Sequence, residues 1–239
     1  MGHQMTFKRY ELKYMITQQQ KAQIVHAMEP HMKLDEYGRT TIRNIYFDTD
    51  TFRLIRRSME KPAYKEKLRI RSYQRSWPDD KVFVELKKKY NSVVYKRRIS
   101  LPRDQAMDWL CNGSAVPAQS QIAYEIEYAR DYYETLRPAV FLSYEREAFY
   151  ALDGGDFRVT FDDKILYRDR ELTLGGEVYG TPLMGKGWVL MEVKTSGGLP
   201  LWMTHILSQQ QIFKTTFSKY AEAYQDMLCP KSKGGRLYA

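Results

Sequence analysis

In seven short stretches of this sequence, polar or charged residues stand two positions apart, in six of them with apolar residues between or beside them. Glu11 and Lys13 flank Leu12, Arg69 and Arg71 flank Ile70, and Glu85 and Lys87 flank Leu86. Lys96 and Arg98 follow, then Tyr144 and Arg146, Arg158 and Thr160, and Glu192 and Lys194 beside Met191 and Val193. Successive side chains of a strand point to opposite faces, so each pair shares a face. Two folds satisfy the pattern. In a sandwich the charged faces meet solvent and the apolar faces form the core. In a closed sheet the charged faces line the inside, and the apolar faces pack outward on helices. Charged residues are seldom buried without partners, so the second arrangement needs an anionic guest, metal ions or water to offset the repulsion.

Period-two alternation predicts strands over Tyr10–Ile16, Thr40–Asp48, Ala63–Tyr73, Lys81–Lys89, Val93–Leu101, Ile122–Arg130, Ala139–Leu152, Phe157–Arg168 and Trp188–Lys194. Helices are expected over Thr17–Glu29, with Thr17 as N-cap, and over Arg103–Asn112, with Gly113 as C-cap. Leu201–Leu228 reads as one long helix or two. Turns fall at Trp77–Asp80, Asp153–Asp156 and Thr195–Pro200. The expected fold is α+β, an antiparallel sheet with flanking helices and a helical C-terminal segment. One domain is expected over residues 1–229, with a C-terminal tail at 230–239.

Charge then narrows the partners. Lys and Arg number 38 against 29 Asp and Glu, a formal net charge of +9, which suggests an anionic partner. Nucleic acid, acidic lipid and phosphorylated small molecules all qualify on charge. Cys111 and Cys229 lie far apart without metal-ligand spacing, and His3, His26, His31 and His205 show none either. The N-terminal stretch lacks the apolar run of a signal peptide, and no run approaches a membrane span, so the cytoplasm is the expected location. Lys87-Lys88-Lys89 resembles a nucleic-acid patch, but alternation turns Lys88 away from its neighbours. Gly197-Gly198 carries no Walker-type spacing and reads as a turn.

The alternating stretches, taken in order, resemble the triphosphate tunnel metalloenzyme superfamily, and within it the VTC domain of polyphosphate polymerases. The resemblance runs from Phe7 to about Leu228 and rests on Tyr10-Glu11-Leu12-Lys13-Tyr14, Ile45-Tyr46-Phe47-Asp48-Thr49, Leu68-Arg69-Ile70-Arg71-Ser72-Tyr73, Val84-Glu85-Leu86-Lys87, Ser143-Tyr144-Glu145-Arg146, Met191-Glu192-Val193-Lys194 and Phe217-Ser218-Lys219-Tyr220. With it, the closed barrel is expected over the sandwich. The resemblance implies a lumen that binds triphosphate and a divalent metal, Mn²⁺ or Mg²⁺. Carried over by position, it implies phosphate contacts from Lys13, Arg69, Arg71, Lys87, Tyr144, Arg146, Arg158, Lys194 and Lys219. Lys96 or Arg98 would add another contact. Tyr144 serves equally as a packing aromatic. Lys13 and Glu192 would be catalytic, with Glu192 the main metal ligand and Glu85 and Glu11 further ligands. Where the hydrolytic branch opens with Glu-x-Glu-x-Lys, this chain reads Arg9-Tyr10-Glu11-Leu12-Lys13. The lost carboxylate points toward the polymerase-like branch.

The expected function is therefore metal-dependent phosphoryl transfer on ATP, pyrophosphate or polyphosphate, as polyphosphate synthesis from ATP. The alternatives are a triphosphate hydrolase and a non-catalytic polyphosphate or nucleic-acid binding module. The basic residues spread over many strands and form no recognised nucleic-acid motif, which disfavours nucleic acid.

Overall fold

The computed structural model describes residues 10–229, apart from 92 and 118. The expected tail at 230–239, and Arg9, lie outside the described residues. In chain order the elements are β1 (Tyr10–Thr17), α1 (Gln18–Met28), β2 (Met32–Leu34), β3 (Thr40–Asp48), α2 (Arg53–Met59), β4 (Tyr64–Ser72), β5 (Lys81–Tyr90) and β6 (Val93–Pro102). There follow α3 (Arg103–Asn112), α4 (Gln121–Tyr133), β7 (Arg137–Ala151), β8 (Arg158–Arg168), β9 (Thr181–Pro182), β10 (Trp188–Thr195), α5 (Leu201–Gln209), β11 (Lys214–Thr215) and α6 (Lys219–Leu228). The fold is α+β, built on one antiparallel sheet of order β11-β1-β10-β8-β7-β3-β4-β5-β6, with β2 on β7 and β9 on β8.

Local chemistry sets several boundaries. Thr17 and Gln20 form a reciprocal capping box that starts α1. Gly113 ends α3 in the left-handed region at φ 70°, where a side chain would be strained. One strand expectation is corrected. Ile122–Arg130 is helical, inside α4. Its alternating Ile122, Tyr124, Ile126 and Tyr128 imitate a strand, but the buried set is Ala123, Ile126, Ala129 and Tyr133, at helical spacing. Ser120 caps this helix by accepting from the Ala123 amide. Of the two readings of Leu201–Leu228, the structure has the two-helix one, with the two-residue strand β11 between the helices.

The closed barrel is also corrected. The ladder ends at β11 and β6, and these edges do not pair with each other. β11 spans only Lys214–Thr215 before α6 begins, too short to bridge the gap. The sheet is nevertheless rolled. In a flat sheet the six steps from β1 to β5, at about 4.8 Å each, would separate them by roughly 29 Å. Instead Glu11 of β1 and Lys87 of β5 approach to 3.7 Å. The seam is crossed by the residues leading into α6. The Phe217 carbonyl accepts from Lys13 of β1 at 2.8 Å, and the Ser218 hydroxyl from Lys67 of β4 at 3.0 Å.

The rolled sheet has an apolar outer face. Leu68, Ile70, Val82, Val84 and Leu86 pack on Trp109 and Leu110 of α3 and Ile126 of α4. Tyr14, Ile16, Val159, Phe161, Met191 and Val193 pack on α1 and on Met203 and Leu207 of α5. At about 25 cal/mol per Å² of apolar surface, these two layers make the roll favourable despite the charge it encloses. A third cluster, Ile42, Tyr46, Tyr144 and Leu190 with Ile55 of α2 and Tyr220, Ala223 and Tyr224 of α6, closes one end of the inner face.

Candidate functional site: the inner face of the rolled sheet

Pairing registers place the charged doublets on one surface. Glu11 lies opposite Lys194, and Lys13 opposite Glu192. Glu192 and Lys194 in turn face Thr160 and Arg158. Arg146 faces Asp162, and Tyr150 faces Arg158. On the other half, Arg69 faces Glu85, Lys67 faces Lys87, and Asn44 faces Arg71. Lys96 faces Lys87 and Arg98 faces Glu85, so both residues of that doublet are on the inner face.

Two carboxylate hubs organise these cations. In the first, Asp162 is fully buried and binds Arg146 through two hydrogen bonds of 2.6 Å each. Glu192 lies 3.5 Å from both Lys13 and Arg146 and accepts from Lys219 at 3.1 Å. Lys219 also reaches Asp162 at 2.6 Å, so its ammonium bridges the two carboxylates. Burial opposes ionisation of Glu192, yet Lys219, Lys13 and Arg146 overcome it and hold the carboxyl well below its ordinary range. Lys219 is raised in turn, its burial outweighed by Asp162 and Glu192.

In the second hub a single buried carboxylate serves four cations. Glu85 lies 2.7 Å from Arg69, 2.8 Å from Lys96, 3.2 Å from Arg98 and 3.9 Å from Arg71. Burial pushes its carboxyl up, and Arg69, Arg71 and Lys96 pull it far down. Arg71 is held by Asn44 at 2.9 Å and by the Tyr144 hydroxyl at 3.1 Å. Arg69 donates to the Tyr46 hydroxyl at 2.8 Å.

Other inner-face cations have weaker neutralisation. Among the described residues Lys67 hydrogen-bonds only to a hydroxyl, and burial lowers its amine to about 8. Lys194 forms no ion pair among the described residues, and burial lowers it to about 8 against the pull of Glu192 and Glu11. Arg158 stacks on Tyr150 at 4.5 Å, and its Nε is buried without a hydrogen-bond partner.

Every predicted phosphate contact, Lys13, Arg69, Arg71, Lys87, Lys96, Arg98, Tyr144, Arg146, Arg158, Lys194 and Lys219, therefore lies on this surface or at its rim. The three carboxylates predicted as metal ligands do not converge, and no group of three metal-ligating side chains occurs among the described residues. Glu85 already faces four cations, which would repel a metal ion, and is a poor metal donor. Glu11 pairs with Lys13 at 3.4 Å and with Lys87. Glu192 fits better, because Asp162 joins it around one cation, and Mg²⁺ takes one or two carboxylates with substrate oxygens. Sequence reading missed Asp162 and Lys67. Each extends a recognised alternation by one step, from Arg158–Thr160 and from Arg69–Arg71, and that periodicity was the available signal.

The profile of the VTC domain family matches residues 8–228. The chain belongs to the VTC domain family. Solved structures share the fold at low identity. A candidate adenylate cyclase of Bacillus halodurans aligns at TM-score 0.54 and 16% identity, over 87% of this chain and 92% of its own. A candidate adenylate cyclase of Vibrio parahaemolyticus aligns at 0.51 and 13%, over 90% and 97%. A Hippeastrum candidate adenylyl cyclase with a dominant triphosphatase activity aligns at 0.50 and 15%, over 92% and 97%. A search of curated proteins found no match. Among the described residues of this VTC domain, no helix is long and apolar enough to cross a membrane.

Proposed function

We propose that this VTC domain, taken as one unit over residues 1–229, transfers phosphoryl groups between triphosphate or polyphosphate chains held on its inner face. The reaction we assign is polyphosphate synthesis from ATP. The observation that carries the reading is the sharing of Glu85 among Arg69, Arg71, Lys96 and Arg98. Four cations on one buried carboxylate leave a concave surface with uncompensated positive charge, which a phosphate chain would neutralise.

Arg69, Arg71, Lys96 and Arg98 would grip the non-reacting phosphates, while Lys13, Arg146 and Lys219 would steady the transferred group. Positioning and charge stabilisation supply most of the catalysis in such reactions. The terminal oxygen of an acceptor phosphate forms a bond to the γ-phosphorus of ATP, and the bond to the β-bridging oxygen breaks, releasing ADP. Glu192, with Asp162, would hold a Mn²⁺ or Mg²⁺ ion, which when bound polarises phosphate oxygens and offsets their charge. Lys87, Arg158 and Lys194 stand nearer the open rim and would guide the chain.

A triphosphate hydrolase is the second reading, favoured by the triphosphatase activity of the Hippeastrum structural neighbour. Water would then replace the acceptor phosphate. Purified protein incubated with ATP and Mn²⁺, with products resolved by gel and by phosphate release, separates the two. A ladder of long chains supports synthesis. Release of orthophosphate without a ladder supports hydrolysis. Neither product would overturn both.

A further inference from the structure

Asp48, the last residue of β3, is fully buried and forms no ion pair among the described residues. A carboxylate in that setting must be held by hydrogen bonds. Its Oδ1 accepts from the amides of Thr49 at 2.9 Å and Leu54 at 2.8 Å, and its Oδ2 from the Ile55 amide at 3.0 Å and the Tyr220 hydroxyl at 2.8 Å. The amide bonds stand in for the cap of α2, whose N-cap residue Phe52 makes no side-chain hydrogen bond. The bond from Tyr220 serves another purpose, because it ties the end of β3 to the start of α6.

Tyr220 follows Lys219, whose ammonium bridges Asp162 and Glu192. On local grounds that lysine is badly placed. A cation at the first position of a helix meets the positive end of its dipole, and the Lys219 side chain is only 10% exposed. The segment that delivers it has little ladder behind it. β11 is two residues long, and Phe217 and Ser218 cross the seam through contacts to Lys13 and Lys67. Tyr220 is the firm point: it is 2% exposed, its ring stacks on Tyr46 at 4.7 Å, and its hydroxyl ends on Asp48. We propose that Asp48 and Tyr220 are positioning residues, which fix the start of α6 so that the Lys219 ammonium stands between Asp162 and Glu192 on the inner face. Both act through Lys219. The proposal rests on the phosphate-transfer reading above, in which Lys219 steadies the transferred group. A misplacement of about 1 Å in a group that stabilises developing charge costs on the order of 100-fold in rate. Loss of the Tyr220 hydroxyl should therefore fall on turnover, while the Glu85 half keeps its hold on the phosphate chain.

Tyr220→Phe removes the hydroxyl but keeps the ring on Tyr46 and the amide bonds of Asp48, so the cap of α2 stays in place. Wild type, Tyr220→Phe and Asp48→Asn are compared by the ¹⁵N–¹H signal of the Lys219 ammonium, identified by its disappearance in Lys219→Gln. Turnover of ATP with Mn²⁺ gives kcat and KM, calorimetry gives the Kd of tripolyphosphate, and melting midpoints report folding. Tyr220→Phe is expected to move the Lys219 signal toward that of exposed lysines and to lower kcat about tenfold. Its KM, its tripolyphosphate Kd and its midpoint should stay near the wild-type values. Asp48→Asn is expected to do the same with a lower midpoint, because α2 loses part of its cap. An unmoved Lys219 signal in Tyr220→Phe, or a loss of tripolyphosphate affinity as large as the loss of kcat, overturns the positioning role while leaving the phosphate-transfer reading standing. Absence of both turnover and tripolyphosphate binding in the wild type overturns that reading itself, and the Lys219 signal then decides the placement of the amine by itself.

Discussion

The two halves of the inner face are built from the same residue types but balanced differently. Around Glu192 and Asp162, two carboxylates answer Lys13, Arg146 and Lys219, and the closest contacts are buried. Around Glu85, one carboxylate answers four cations, and the side chains of Lys96 and Arg98 remain 46% and 32% exposed. The first half is nearly self-sufficient. The second is under-neutralised and open, with a standing demand for an anion. Burying a charge is tolerable only with partners, so the first half should contribute mainly to stability and the second mainly to ligand affinity.

The largest effect expected from this contrast is on folding. Arg146→Ala removes the bidentate partner of fully buried Asp162 and should cost about 3–5 kcal/mol, read as a lowered midpoint in urea unfolding. The matched change Arg69→Ala leaves Glu85 with three cations and should cost far less stability. A loss of stability in Arg69→Ala as large as in Arg146→Ala would break the comparison.

Ligand binding should reverse the order. Arg69→Ala removes a charged phosphate contact worth about 1.5–3 kcal/mol, so tripolyphosphate affinity should fall roughly 10- to 150-fold in calorimetry. Tripolyphosphate at about 100 times its dissociation constant should stabilise the wild type by about 2.7 kcal/mol, seen as a raised thermal midpoint. That increment should shrink in Arg69→Ala at the same ligand concentration. An unchanged midpoint in the wild type would remove the supposed demand for an anion.

A smaller effect concerns pH. Burial lowers the amines of Lys67 and Lys194 to about 8. Below pH 8 both amines are charged in folded and unfolded chains, and the burial cost is fully present. As pH rises through about 8 toward the ordinary lysine value of 10.5, only the folded state sheds these protons, and the ligand-free protein gains stability. A bound phosphate chain favours the charged amines, so binding should take up protons between about pH 8 and 9 and weaken as pH rises further. Calorimetry in buffers of different ionisation heat measures that uptake. Proton release in that window would contradict the placement of these lysines.

Much of this surface was legible because strand alternation is strict. Once Glu11, Arg69, Glu85 and Glu192 were placed on strands, their i+2 partners had to share a face, as the registers confirm. Asp162 was harder to see, because Asp163 stands beside it and parity alone decides which turns inward. Asp163 instead faces outward and pairs with Arg39. Lys67 was masked similarly by Glu66, which faces away and accepts from Tyr64. The α4 error arose because the exposed tyrosines Tyr124 and Tyr128 stand two residues from Ile122 and Ile126, giving a false period. Sheet closure was not readable from alternation, which fixes faces but not which edges meet. The edges are set by the shortness of β11 and by the turn into α6.

The central claim is that the Glu85 half of the inner face binds a phosphate chain through charge left uncompensated in the folded protein. The most direct measurement is a calorimetric titration of tripolyphosphate into the wild type and Arg69→Ala, with single-stranded DNA as a competing ligand. Saturable binding of one chain per domain is expected in the wild type, with loss of affinity in Arg69→Ala while the fold stays intact, and little competition from DNA. Tripolyphosphate binding that ignores Arg69, or tight DNA binding that displaces it, would contradict the account.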